Sequence, residues 1–92
     1  MEQIYCMYYR NINNIYSINP EIVGYYTDLD IVKTHLREIG KMYRAKGFIT
    51  HYTSDKQMLV KTSPKNVFAT YTIKAHNINE NEILDIINSE KI

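Results

Sequence analysis

Three histidines, one cysteine and nine tyrosines are among the side chains of this 92-residue sequence suited to proton transfer, nucleophilic attack or metal ligation. The histidines are His35, His51 and His76. No two stand at the close spacing with which one helix or loop presents a pair of metal ligands, and Cys6 has no second thiol to join it. No metal site is expected. A Cys6–histidine nucleophile would need surroundings that favour a thiolate. Cys6 instead lies between Tyr5 and Met7 in a run that reads as a covered strand, which predicts a small core side chain. His51 and His76 fall on segments that read as strands. Were those strands neighbours, the two rings could approach, and a histidine acting with Tyr or Lys would give acid–base catalysis of the kind small nucleases use. The 3 glycines form no phosphate-cradling loop. The expectation is a protein without catalytic residues or a cofactor, and a small histidine-dependent enzyme is the third-ranked alternative.

Binding chemistry is better represented. Tyr5, Tyr8, Tyr9, Tyr16, Tyr25 and Tyr26 crowd the first 26 positions. Every buried phenol needs a partner for its hydroxyl, so a small core leaves some at the surface, where tyrosine favours interfaces. Tyr5, Tyr9, Tyr25 and Tyr26 are the expected aromatic contacts. The competing explanation is compositional: Ile, Asn, Tyr and Lys make up 40 of the 92 residues, as A/T-rich codons produce, and Tyr then replaces Phe.

The net charge of +1 hides a partition. Residues 1–32 set Arg10 against Glu2, Glu21, Asp28 and Asp30, a net −3. Residues 33–76 carry nine basic side chains against Glu38 and Asp55, a net +7, and residues 77–92 return to −3. Lys33, Arg37, Lys41 and Arg44 step by four, four and three, which lines them along one helix face. That face suits an acidic partner or a phosphate backbone. Asp28, Asp30, Glu80, Glu82 and Asp85 form the alternative acidic surface, a mimic of phosphates. The plainer explanation for both is a solvated helix face, with charged strands that discourage edge-to-edge aggregation.

These groups need elements to hold them. The length allows one domain, residues 1–92. Residues 3–10 alternate Ile4, Cys6 and Tyr8 against Tyr5, Met7 and Tyr9, so both faces are apolar or aromatic and the strand is expected to be central or covered. Residues 15–18 read as a short second strand, continued after a bend by 22–26. A helix is expected from Thr27, its N-cap, to Gly47, with Leu29, Val32, Leu36, Ile39 and Tyr43 as its apolar stripe. Gly40 inside it either permits close packing or marks an earlier end. Residues 48–53, 57–62 and 67–76 predict a meander. A second, short acidic helix is expected over residues 80–90, capped by Asn79 with Glu82 as its capping-box partner. The fold class is α+β, an antiparallel sheet of four to five strands with one long and one short helix, in the order ββαβββα.

Residues 28–92 resemble a double-stranded RNA-binding domain in their α-β-β-β-α order. They depart from it where that family grips phosphate, because Asn79-Glu80-Asn81-Glu82 is acidic, so only the topology is alike. The strand YCMYYRN, the run GYYTDLDIVKTHLREIGKMYRAKGF and the small A/T-rich chain resemble accessory proteins of bacteriophages, anti-CRISPR inhibitors of host defence among them. That resemblance implies a compact, non-enzymatic inhibitor that binds a host protein or nucleoprotein complex by steric occlusion or charge mimicry. It assigns no site residue. A nucleic-acid-binding domain using the basic helix face is the alternative. No apolar run approaches a membrane span and no disulfide can form within the chain, so a cytoplasmic protein without a membrane partner is expected. A homodimer is also expected to be within reach, paired through the tyrosine-rich first strand if that strand is an edge.

Overall fold

The computed structural model describes residues 3–12 and 20–77. Alternation of side chains produces five strands: β1 (Gln3–Asn11), β2 (Glu21–Tyr26), β3 (Ile49–Ser54), β4 (Gln57–Ser63) and β5 (Asn66–Asn77). One helix, α1 (Leu29–Ala45), lies between β2 and β3 in the chain. The described order is ββαβββ. The expected final helix over 80–90 and the expected strand at 15–18 lie outside the described residues. The extended segment beginning at residue 22 is the observed second strand.

All neighbouring strands are antiparallel, in the sheet order β2-β1-β5-β4-β3. β1 is therefore internal, bonded to β2 on one side and to β5 on the other. This corrects the expectation of a dimer through β1, whose backbone groups are already spent in two ladders. Among the described residues the sheet edges are β2 and β3. The chain leaves one edge at β2 and returns at the other edge in β3, so α1 must cross the whole sheet. Its 17 residues reach about 25 Å at 1.5 Å per residue, enough to cross about 19 Å of sheet diagonally.

The helix starts where its first amides find an acceptor. Asp28, not Thr27, is the N-cap: its Oδ1 accepts from the backbone N–H of Asp30 at 2.8 Å and of Ile31 at 3.3 Å. A carboxylate there also meets the positive end of the helix dipole, which a hydroxyl does not match. At the other end Gly47 turns the chain at a φ of 94°, a conformation that suits glycine.

The core lies between α1 and one sheet face. Met7, Val32, Leu36, Met58, Val60, Ala69, Tyr71 and Ile73 are buried together, with Tyr5, Tyr9, Leu29 and Tyr43 packed around them. The expected helix stripe is the one that faces the sheet. Gly40 serves close packing rather than helix termination. It is buried, and a Cβ there would overlap the Tyr52 hydroxyl and come within 3.0 Å of Met58 Sδ. Gly40→Ala should therefore lower stability by about 1 kcal/mol, because overpacking outweighs the roughly 1 kcal/mol of helix propensity gained. Adding Tyr52→Phe removes the overlapped atom and should recover that loss in urea unfolding. A single Gly40→Ala variant more stable than the parent would show that the overlap costs nothing.

Candidate functional site

The register assigns each candidate residue to a surface. On α1, at 100° per residue, three sectors lie roughly 120° apart. The first is the core stripe. The second holds Lys33, Arg37, Lys41 and Arg44 and faces the β3 side. Lys33 is half-buried there, its Nζ 2.7 Å from Asp55 Oδ2 in the β3–β4 turn. That ammonium, hydrogen-bonded to Asp55, holds the carboxyl below the usual carboxylate range. Arg44 Nη1 donates to Thr50 Oγ1 at 2.5 Å, and Arg37 Nη2 donates to Thr34 Oγ1 at 3.2 Å. Arg37, Lys41 and Arg44 are exposed, and the Lys33–Asp55 contact is the one ion pair among the described residues. Tyr52, on the edge strand β3, is also exposed at this flank beside Gly40 and Arg44.

The third sector was not singled out in the sequence. Ile31, His35, Glu38 and Met42 recur at steps of four, three and four, on the side of α1 toward β2. Tyr26 joins them from β2, its hydroxyl hydrogen-bonded to Nδ1 of His35, with the two rings edge to face. Together Tyr26, Asp30, Ile31, Thr34, His35 and Glu38 line an open cleft of about 390 Å³. Burial pushes the Tyr26 hydroxyl above its usual range, so it stays protonated near neutral pH and shares its hydrogen with His35 Nδ1. With Nδ1 engaged by Tyr26, Nε2 is the ring nitrogen of His35 left to meet a partner. The sequence signal for this sector was Ile31, an apolar residue off the core stripe.

The other tyrosines separate by parity. Tyr5 and Tyr9 pack against the core from β1, and the Tyr9 and Tyr71 rings lie 5.1 Å apart. Tyr25 pairs with Cys6 in the β2–β1 ladder. Cys6 and Tyr8 occupy the sheet face away from the helix, where the Tyr8 hydroxyl shares a hydrogen bond of 3.0 Å with His76 Nε2. Lys74 Nζ stands 5.5 Å from the Tyr8 ring centre. Burial first, and then the neighbouring Cys6, raise the Tyr8 hydroxyl above its usual value. Cys6 is fully buried, as a core side chain should be. His51 is exposed on β3, two strands away from His76 on β5, so the expected approach of these two histidines does not occur.

Asp28 is occupied as the helix cap, and Asp30 lines the cleft. The proposed acidic positions Glu80, Glu82 and Asp85 lie outside the described residues. No described helix is long and apolar enough to cross a membrane. Among the described residues, no cluster of three or more His, Cys, Asp or Glu side chains is placed to hold a metal ion. No protein-family model matches this chain, and neither a curated protein nor a solved structure matches it.

Proposed function

We propose that this protein is a small non-enzymatic binding module, an inhibitor of a host defence complex encoded by a phage or mobile element, which occludes its target through the outer surface of α1. The observation that carries the reading is the exposed basic flank. Arg37, Lys41 and Arg44 fall within about 60° of the helix circumference, and none of them is ion-paired among the described residues. Like charges at four-residue spacing cost a helix a few tenths of a kcal/mol. An acidic surface on a partner protein would turn that cost into attraction and speed the encounter. Tyr52 beside Arg44 supplies the aromatic contact such interfaces favour.

Tyr52 also gives a nucleic acid something to stack on, which is the second reading. The net charge of +1 disfavours it, since nucleic-acid-binding domains carry a marked excess of basic side chains. The test is affinity capture from lysate of the host, comparing the parent with the triple variant Arg37→Glu, Lys41→Glu, Arg44→Glu. A partner held by the parent should bind the variant at least about 100-fold more weakly, as truncated hot spots do. Equal capture by both would sink the proposal. Labelled duplex DNA and RNA complete the comparison: binding with a log–log salt slope near −3, as about three phosphate contacts give, would put the second reading in its place.

A further inference from the structure

The cleft and the exposed apolar side chains of α1 fit a partner of one kind. Ile31 is 60% exposed and Met42 is 48% exposed, high values for large apolar side chains on one helix. They lie in the same sector, eleven residues apart, which is about 16 Å along the axis. Between them, in that sector, stand His35 and Glu38. The spacing of four, three and four is unchanged by reversal and the types become complementary: apolar, histidine, carboxylate, apolar meets apolar, carboxylate, histidine, apolar. Two such helices laid antiparallel bring Ile31 of each opposite Met42 of the other, and His35 of each opposite Glu38 of the other. A two-fold interface demands this reciprocity, in which residue i meets j and j meets i.

We propose that two copies of this chain pair α1 against α1, antiparallel about a two-fold axis, each seating Met42 in the other's cleft. The shape supports it. The cleft lies at the N-terminal half of α1, lined by Ile31 and the Tyr26 ring, and Met42 projects from the C-terminal half. Methionine is unbranched and polarizable, so it fills irregular space and contacts aromatic edges favourably. The charge supports it as well. Tyr26 engages His35 at Nδ1, so His35 presents Nε2 outward, and Glu38 of the second copy supplies a carboxylate to meet it. Both contacts occur twice. The basic flank is a separate sector, so Arg37 and Arg44 stay available in the dimer to the acidic partner proposed above.

Sedimentation of the full chain from about 1 to 500 µM tests the pairing, a range suited to a small interface. The parent should shift from monomer to dimer mass with concentration. Met42→Glu and Ile31→Glu, both at exposed positions, should keep the parent's circular dichroism and weaken dimerisation at least about 100-fold, since a symmetric interface carries each substitution twice. Orientation is read separately. The double variant Ile31→Cys, Met42→Cys should form a covalent dimer on oxidation, and neither single variant should do so in the same way. A parent that remains monomeric throughout, or a dimer indifferent to Met42→Glu, would overturn the proposal. A dimer that persists in the glutamate variant is formed through another surface.

Discussion

Leu36→Ala should lower folding stability by about 3 kcal/mol, within the range measured for emptied leucine sites in packed cores. Leu36 is 1% exposed, sits near the middle of α1 and belongs to the buried cluster between helix and sheet. Few side chains share its burial, because a chain of 92 residues leaves much of its surface in water. A domain of this size holds roughly 5–14 kcal/mol in total, so this one change removes a large part of it. The melting temperature should fall by about 15 °C, since each kcal/mol moves a domain of this length by several degrees. Ile31→Ala is the natural control on the same helix. Its side chain is mostly in water, so in dilute protein the change should stay within about 0.5 kcal/mol. Urea unfolding of both variants decides the matter. Equal losses would mean that α1 is not oriented with its Leu36 stripe on the sheet.

That orientation could be read from spacing alone, because an apolar stripe on a helix has a single physical use in water. The strands were readable for a similar reason: in β5 the alternation of Val67, Ala69, Tyr71 and Ile73 against Thr70, Thr72 and Lys74 leaves one face for the core. The turns at Asp55-Lys56 and Pro64-Lys65 also stand where turn residues cluster. Strand order is different. β1 pairs with β5 across a long stretch of chain, with Tyr5 opposite Ala75 and Met7 opposite Ile73, and nothing local encodes such a pairing. The role of β1 as an internal strand was expected from its two apolar faces, while its consequence for a dimer was not.

The cleft escaped notice because it depends on parity. Tyr25 and Tyr26 are chemically equal in the sequence, and only one can face the helix. An irregularity in the β1–β2 ladder decides which. Met7 pairs with Gly24 and Tyr8 with Ile22, so Val23 is the extra residue and is exposed. One added residue moves every later side chain to the other face. Tyr26 thereby reaches His35, and the cleft exists. The basic face was visible as a stripe, but its division was not: Lys33 is neutralised by Asp55 from a turn that lies close only in the folded chain.

Alkaline pH should unfold this protein with unusual sensitivity, and Tyr71 should account for much of it. Its hydroxyl is 2.8 Å from that of Tyr43, under the helix. Burial raises the Tyr71 hydroxyl far above the usual phenol range, and the bond to Tyr43 and the nearby Tyr9 raise it further. Tyr8, Tyr9 and Tyr26 are raised as well, chiefly by burial. A tyrosine in the unfolded chain ionises near pH 10, whereas Tyr71 in the fold keeps its proton. Above pH 10 the unfolded state therefore binds fewer protons than the native state, and stability falls as pH rises. The stability is fully present below pH 10 and is lost on the way to the folded-state value. Tyr71 alone should remove about 1 kcal/mol by pH 11. Tyr71→Phe separates this effect from general alkaline damage. It should cost about 1 kcal/mol at pH 7, for the lost hydrogen bond that leaves Tyr43 to find another partner. It should then lose less than the parent between pH 9 and pH 11, so the two stability curves converge. Thermal melts across that range give both curves. Parallel curves would mean that Tyr71 ionises as readily inside the fold as outside it, and that the phenol pair beneath α1 is open to water.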